Sequence, residues 1–152
     1  MQSRSIGAAL AVALVVTLGG VAGASTAQKS LPKKTYIKKA DRICSKANQL
    51  ITKAAQGALL DSVKQGRNPT SAELAKAVND AAPTFKHEVA SLKALPKPKG
   101  DAKKLKKIFN LVQKAYEKVL AKPARLLTGV PELDKAAKKA KAYGLQVCGT
   151  VP

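Results

Sequence analysis

The sequence predicts an all-α fold, a small bundle of three to four helices kinked at Pro83 and Pro123 and closed by one disulfide. Three observations lead there. Apolar residues recur at steps of three and four along several long stretches, and no stretch alternates with period two. Aromatic residues make up only 3% of the chain and Trp is absent, so Ala, Leu, Ile and Val must do the packing. That composition suits close helix–helix contact better than a sheet sandwich.

The first helix is expected after a polar lead-in, residues 28–34, with Thr35 as its cap. Its stripe runs Ile37, Ala40, Ile43, Cys44, Ala47, Leu50, Ile51 and Ala54, and the pattern continues weakly past Gly57 to Lys64. Gly66-Arg67-Asn68-Pro69 ends it. Thr70-Ser71-Ala72-Glu73 then reads as a capping box, in which Thr70 caps and Glu73 reaches back. Leu74, Val78, Ala81, Phe85, Val89, Leu92 and Leu95 form the second stripe, and Pro83 within it predicts a kink or a restart near Ala82.

Pro96-Lys97-Pro98-Lys99-Gly100 breaks the pattern, and Asp101 opens a third helix, its charge favourable at the positive helix end. Leu105, Ile108, Val112, Ala115, Val119, Leu120 and Leu127 make the third stripe, widened by Phe109 and Tyr116, and Pro123 bends or ends the helix. A short fourth helix is expected from Pro131 to Tyr143, with Pro in its first turn and Gly144 as its stop. The single bundle domain therefore covers residues 35–149.

Residues 1–27 have the layout of a secretory signal. Arg4 and the amino terminus supply positive charge, Ile6 to Leu18 is apolar apart from Gly7 and Thr17, and Ala22-Gly23-Ala24 or Ser25-Thr26-Ala27 fits the cleavage rule. The apolar run is about thirteen residues against the roughly twenty that span a bilayer, so cleavage is expected rather than retention as an anchor. No Cys follows the run to take a lipid. The expected location is outside the cytoplasm, secreted or in the cell envelope.

Charge is the second strong signal. The chain carries 28 Lys and Arg against 9 Asp and Glu, a formal net charge of +19. Arg4 is the only charged side chain in residues 1–27, so the rest carries +18. Four basic residues are Arg (Arg4, Arg42, Arg67, Arg125) and the others are Lys. Lys is a hydrated point charge without the planar fork of Arg, which suits diffuse attraction to polyanions rather than bidentate reading of one anionic group. The candidate polyanion-binding residues are Lys38, Lys39, Lys103, Lys104, Lys106, Lys107, Lys135, Lys138 and Lys139.

Cys44 and Cys148, the only cysteines, lie near the two ends of the domain. In an exported chain an even pair reads as a disulfide. A loop of about a hundred residues gives a loop-entropy stabilisation of roughly 4–5 kcal/mol, usually trimmed by strain. The alternatives are weaker: His87 is the only His to join a metal site, and there is no closely spaced pair for redox work. No metal and no cofactor is expected.

Nothing else reads as catalytic. His87 follows Phe85 by two residues and has no second His near it; a structural role is simpler than a base without a positioned partner. Glu132 and Asp134 read as first-turn acids rather than as a carboxylate pair. There is no nucleophile elbow, HExxH, phosphate loop or dinucleotide fingerprint. The chain is not expected to be an enzyme.

Three short elements add a resemblance: Ala40-Asp41-Arg42-Ile43-Cys44, Leu95-Pro96-Lys97-Pro98-Lys99-Gly100-Asp101, and Tyr143-Gly144-Leu145-Gln146-Val147-Cys148-Gly149. With them the chain resembles uncharacterised small exported helical proteins of high-GC Gram-positive bacteria. The resemblance implies a helical bundle, a signal or lipid-anchored start and paired cysteines. It carries over no activity and no site, and the lysine content here exceeds what it implies.

The expected function is electrostatic binding to anionic envelope polymers or lipid headgroups by a monomer. The alternative is a bundle that binds a specific protein or small apolar ligand in a groove lined by Phe85, Phe109 and Tyr116, with the charge serving solubility. A third reading, nucleic-acid binding, rests on Ala121-Lys122-Pro123-Ala124-Arg125 and Ala137-Lys138-Lys139-Ala140-Lys141; export and the apolar-striped helices count against it. A membrane-lytic role is disfavoured because the apolar faces are needed for the core.

Overall fold

The computed structural model describes residues 29–150. The expected signal, residues 1–27, lies outside them. The described chain is helical without strands: α1 Lys33–Lys64, α2 Ser71–Ala94, α3 Ala102–Ala121, the single-turn α4 Arg125–Thr128, and α5 Pro131–Tyr143.

The four longer helices run up, down, up, down. Tyr36 and Cys44 near the start of α1 share one core with Leu92 near the end of α2, Leu105 and Ile108 at the start of α3, and Tyr143 at the end of α5. A second core, Val78, Ala115, Val119 and Val130, gathers the opposite ends of α2, α3 and α5. Leu105, Tyr36 and Leu145 are fully enclosed in the first core. The burial removes large apolar surfaces from water and is the main source of stability.

The helix lengths are unequal. At 1.5 Å per residue α1 is about 48 Å long and α5 about 20 Å. The far end of α1 therefore packs on α2 alone, which leaves Leu60 and Val63 exposed.

Several expectations need correcting. Helix α1 starts at Lys33 behind Pro32, and Thr35 sits inside its first turn. The Pro32 carbonyl accepts the Tyr36 N–H, and burial of Tyr36 with Leu31 against the first core fixes that turn. Leu50 faces solvent instead of the core. Of the two outcomes expected at Pro83, a kink or a restart, the restart is excluded, because α2 runs unbroken through Pro83 with Val78 and Val89 buried on either side. Pro123 ends α3, the second of its two expected outcomes, but Leu127, expected in the third stripe, falls in α4 and is exposed.

Other local features follow the expected chemistry. Thr70 and Glu73 form the reciprocal capping box: Glu73 N–H donates to Thr70 Oγ1 at 3.2 Å and Thr70 N–H to Glu73 Oε2 at 2.7 Å. Arg67 grips the same carboxylate at 2.7 Å, and together these contacts hold it at a pKa of about 2. Gly144 ends α5 in the left-handed region at φ 111°. A Cβ there would lie 2.9 Å from the terminal methyl of Ile37, a contact that a small side-chain shift relieves, so it is the left-handed turn that requires glycine.

Candidate functional site

Two features of the bundle are candidates: a lysine-dense end and a cavity between the two cores. Both depend on how the C-terminal tail is fastened to α1.

Cys44 and Cys148 are joined in a disulfide with Cα atoms 5.2 Å apart, which suggests a non-reducing compartment. Beside it Asp41 accepts three tail amides: Val147 N–H at 3.0 Å, Cys148 N–H at 3.2 Å, and Gln146 N–H at 3.2 Å on its other oxygen. A carboxylate that collects successive N–H groups makes charge-assisted bonds, stronger than neutral ones. In the sequence Asp41 stands within the Ala40-Asp41-Arg42-Ile43-Cys44 element without a role of its own. Its position three residues before Cys44, on the same helix face, was the signal that could have found it.

Asp101 also turns inward. It occupies the N-cap position of α3 without capping through its side chain, and its Oδ2 accepts the Tyr143 hydroxyl at 2.7 Å. Burial and the nearby carboxylate push the Tyr143 phenol well above its ordinary pKa. Tyr36 packs edge-on to Tyr143, with ring centroids 6.3 Å apart, and Lys33 Nζ sits 4.5 Å above the Tyr143 ring. Burial alone raises the Tyr36 phenol to about 12.

These contacts bring the start of α1, the end of α2, the start of α3 and the end of α5 to one end of the bundle. Lys33, Lys34, Lys38, Lys39, Lys99, Lys103, Lys104, Lys106, Lys107 and Lys141 surround it, and all are exposed. Lys97 is held back, its Nζ on the Lys93 carbonyl and its pKa lowered by burial. The two carboxylates at this end, Asp41 and Asp101, are engaged with the tail and with Tyr143. The other end is different. Asp61, Glu73, Asp80, Glu117, Glu132 and Asp134 lie towards it, and the ion pairs found among the described residues, Arg67–Glu73, Lys76–Asp80 and Lys118–Glu132, are all there. The positive charge is therefore polarised along the bundle axis.

Of the nine lysines singled out in the sequence, Lys38, Lys39, Lys103, Lys104, Lys106 and Lys107 come to this end. Lys138 and Lys139 lie further down α5, and Lys135 belongs to its first turns, towards the opposite end. Glu132 and Asp134 are first-turn acids of α5, and the Lys118 contact lowers the Glu132 pKa. His87 is exposed, 3.5 Å from Ser91 Oγ.

The second feature is a cavity of about 270 Å³. The backbones of α1 and α5 stay apart, their side chains meeting only near Tyr36 and Tyr143, and below the disulfide the space between them is walled by Ile51, Val78, Ala81, Val112, Val119, Leu133 and Ala136. Phe85 and Tyr116 line it together, their rings stacked with centroids 3.8 Å apart. Phe109, expected in the same groove, is buried in the first core instead; it lies two helical turns from Tyr116, towards the other end of α3. Glu88 was not expected here. It is among the residues that line the cavity, and desolvation raises its pKa to about 7.

Among the described residues no group of three or more His, Cys, Asp or Glu is placed to hold a metal ion, and no helix is long and apolar enough to cross a membrane. No protein-family model matches the chain, and neither a curated protein nor a solved structure matches it.

Proposed function

We propose that this chain is a non-catalytic protein of the cell exterior that holds itself on phosphate-rich anionic polymers of the envelope through the lysine-dense end of its bundle. The observation that carries the reading is the axial charge asymmetry: the lysines at this end are exposed, while the ion pairs lie at the other. Lysine on a rigid helical frame supplies a field that attracts a flexible polyanion without demanding one fixed geometry. The net charge of +19 is well beyond the magnitude of 2–8 that solubility requires of a small domain. Export through residues 1–27 and the disulfide fit a working place outside the cytoplasm.

The test is retention of the oxidised protein, without residues 1–27, on purified cell-wall material across a salt series. Binding by counterion release and unscreened attraction falls steeply between low salt and salt above the physiological level, and it disappears when phosphate polymers are stripped from the wall. Retention that is unchanged in high salt contradicts the proposal. Vesicles containing anionic lipid, run in parallel, decide whether headgroups rather than wall polymers are the better partner. Duplex DNA serves only as a generic polyanion, because this charge binds it regardless of physiological role.

A further inference from the structure

The cavity and the lysine-dense end meet at the C-terminal strap. Asp41 and the disulfide seat the strap on α1, and Gly149 seats it on α5. A Cβ on Gly149 would lie 3.2 Å from the Ala137 carbonyl oxygen and 2.5 Å from Lys141 Cγ. Bare backbone therefore lies against α5 at this point, with the Lys141 stem across it. Cys148 and Thr150, on either side of Gly149, both line the cavity. The strap thus bridges α1 and α5 at the end of the cavity that faces the lysines, and Lys141 stands at that rim.

The lining changes along the bundle axis. Asn48 and Thr150 offer an amide and a hydroxyl at the strap end. Val78, Val119, Leu126 and Leu133 close the opposite end, where α2 and α5 begin and α3 finishes. Polarity inside the cavity therefore runs in the same direction as charge outside it. A molecule with one polar head and one alkyl chain has the same order. Burial of apolar surface draws the chain inwards, and the excess of lysine sets the sign of the head. Glu88, the one acidic side chain among the lining residues, favours the opposite sign, and the experiment reads the choice between the two. Size sets the chain length. A cavity of about 150 Å³ takes benzene, so one of about 270 Å³ takes roughly ten to twelve heavy atoms.

We propose that the cavity holds the alkyl chain of a single-chain anionic amphiphile, with the chain against Val78, Val119 and Leu133 and the head at the rim beside Asn48, Thr150 and Lys141. The inference goes beyond the reading of the lysine-dense end. A free amphiphile needs no polymer, so cavity binding and wall retention fail or succeed separately.

The experiment titrates the oxidised protein at low salt with decanoate, decyl phosphate, 1-decanol and decylammonium. Calorimetry and the NMR shifts of the Ile51 and Leu133 methyl groups are the readouts. The two anions are expected to bind one-to-one and about fivefold tighter than 1-decanol, the scale of one exposed ion pair, with decylammonium weakest. The ratio between them assigns the head as carboxylate or phosphate. From hexanoate to decanoate the affinity rises roughly three- to fourfold per methylene, and it levels off by tetradecanoate because the cavity is full. Lys141→Gln removes the preference for anions and leaves 1-decanol binding unchanged. Lys139→Gln removes the same charge from the other side of α5 and keeps the preference. Ala81→Met, which narrows the cavity, weakens all four probes. The proposal is overturned by 1-decanol or decylammonium binding as tightly as the anions, or by equal effects of Lys139→Gln and Lys141→Gln. Affinity that keeps rising to tetradecanoate, or no saturable binding of any probe, overturns it as well.

Discussion

Asp41 and Val147, 106 positions apart in sequence, meet through a 3.0 Å hydrogen bond from the Val147 amide to the Asp41 carboxylate. That bond and its two neighbours turn the C-terminal tail into a strap across α1, next to the disulfide that makes the link covalent. The strap ties α5 to α1 and keeps four helix ends gathered where the lysines lie. Removing the carboxylate leaves amides without an acceptor.

Asp41→Ala is therefore expected to destabilise the protein by about 2–3 kcal/mol, at the upper end for hydrogen bonds to a charged group. Asp41→Asn, which keeps one acceptor oxygen, costs less. Hydrogen exchange at the amides of Gln146, Val147 and Cys148 checks the assignment: these accelerate in both variants before the core amides of α3 do.

Reducing the disulfide tests the covalent half of the strap. Its two sulfurs lie 104 positions apart in sequence, and a loop of that length carries up to about 4–5 kcal/mol in the chain-entropy model. Cys44→Ala with Cys148→Ala should lower the denaturation midpoint strongly while the helix content at low denaturant stays near that of the parent. Circular dichroism against denaturant concentration measures both.

Gly144→Ala places a side chain in a left-handed turn, with its Cβ 2.9 Å from the terminal methyl of Ile37. The backbone conformation costs about 1–2 kcal/mol, and a small shift of Ile37 relieves the contact. Pairing it with Ile37→Val should therefore recover little of the loss. Thermal denaturation of the three variants decides.

Glu88 gives a pH dependence of definite sign. Its pKa is raised to about 7 in the folded protein, against about 4.3 in an unfolded chain. Between those values the folded state binds the additional proton, so stability falls as pH rises through this window and the penalty is complete above it. Glu88→Gln removes the titration. It is expected to stabilise the protein at pH 8 by roughly 3 kcal/mol or less and to have little effect at pH 4. Glu73 has the opposite sign: with its pKa lowered to about 2, its contribution is present above its unfolded value and lost as the pH falls towards 2. Denaturation curves of both forms from pH 3 to pH 9 separate the two.

Much of this fold is legible in the residues. The stripe Leu105, Ile108, Ala115 and Val119, the capping box at Thr70 and the stop at Gly144 state local rules that the tertiary structure leaves intact. The disulfide follows from an even pair of cysteines in a chain whose first residues read as a secretory signal. What could not be read is set by long-range packing. Pro83 marks a break by local rule, yet α2 continues because neighbouring turns on both sides are buried. Phe109 and Tyr116 share a stripe on α3, but their separation along the helix puts them in different interiors. Glu88 resembles any surface acid until α1 and α3 close around it. The axial separation of ion pairs from lysines depends on an antiparallel order that helical periodicity alone does not specify.

The central claim is that one end of the bundle, rather than net charge as such, binds the polyanion. The measurement is retention on phosphate-bearing wall polymer, at one moderate salt concentration, of two variants that lose the same charge. In the first, Lys38, Lys39, Lys103 and Lys104 are changed to Gln. In the second, Lys53, Lys64, Lys114 and Lys122, which lie away from that end, are changed to Gln. The account predicts that the first loses about tenfold or more in affinity, at about one counterion per contact, while the second stays within about twofold of the parent. Equal losses in the two variants would show that only total charge matters and would contradict it.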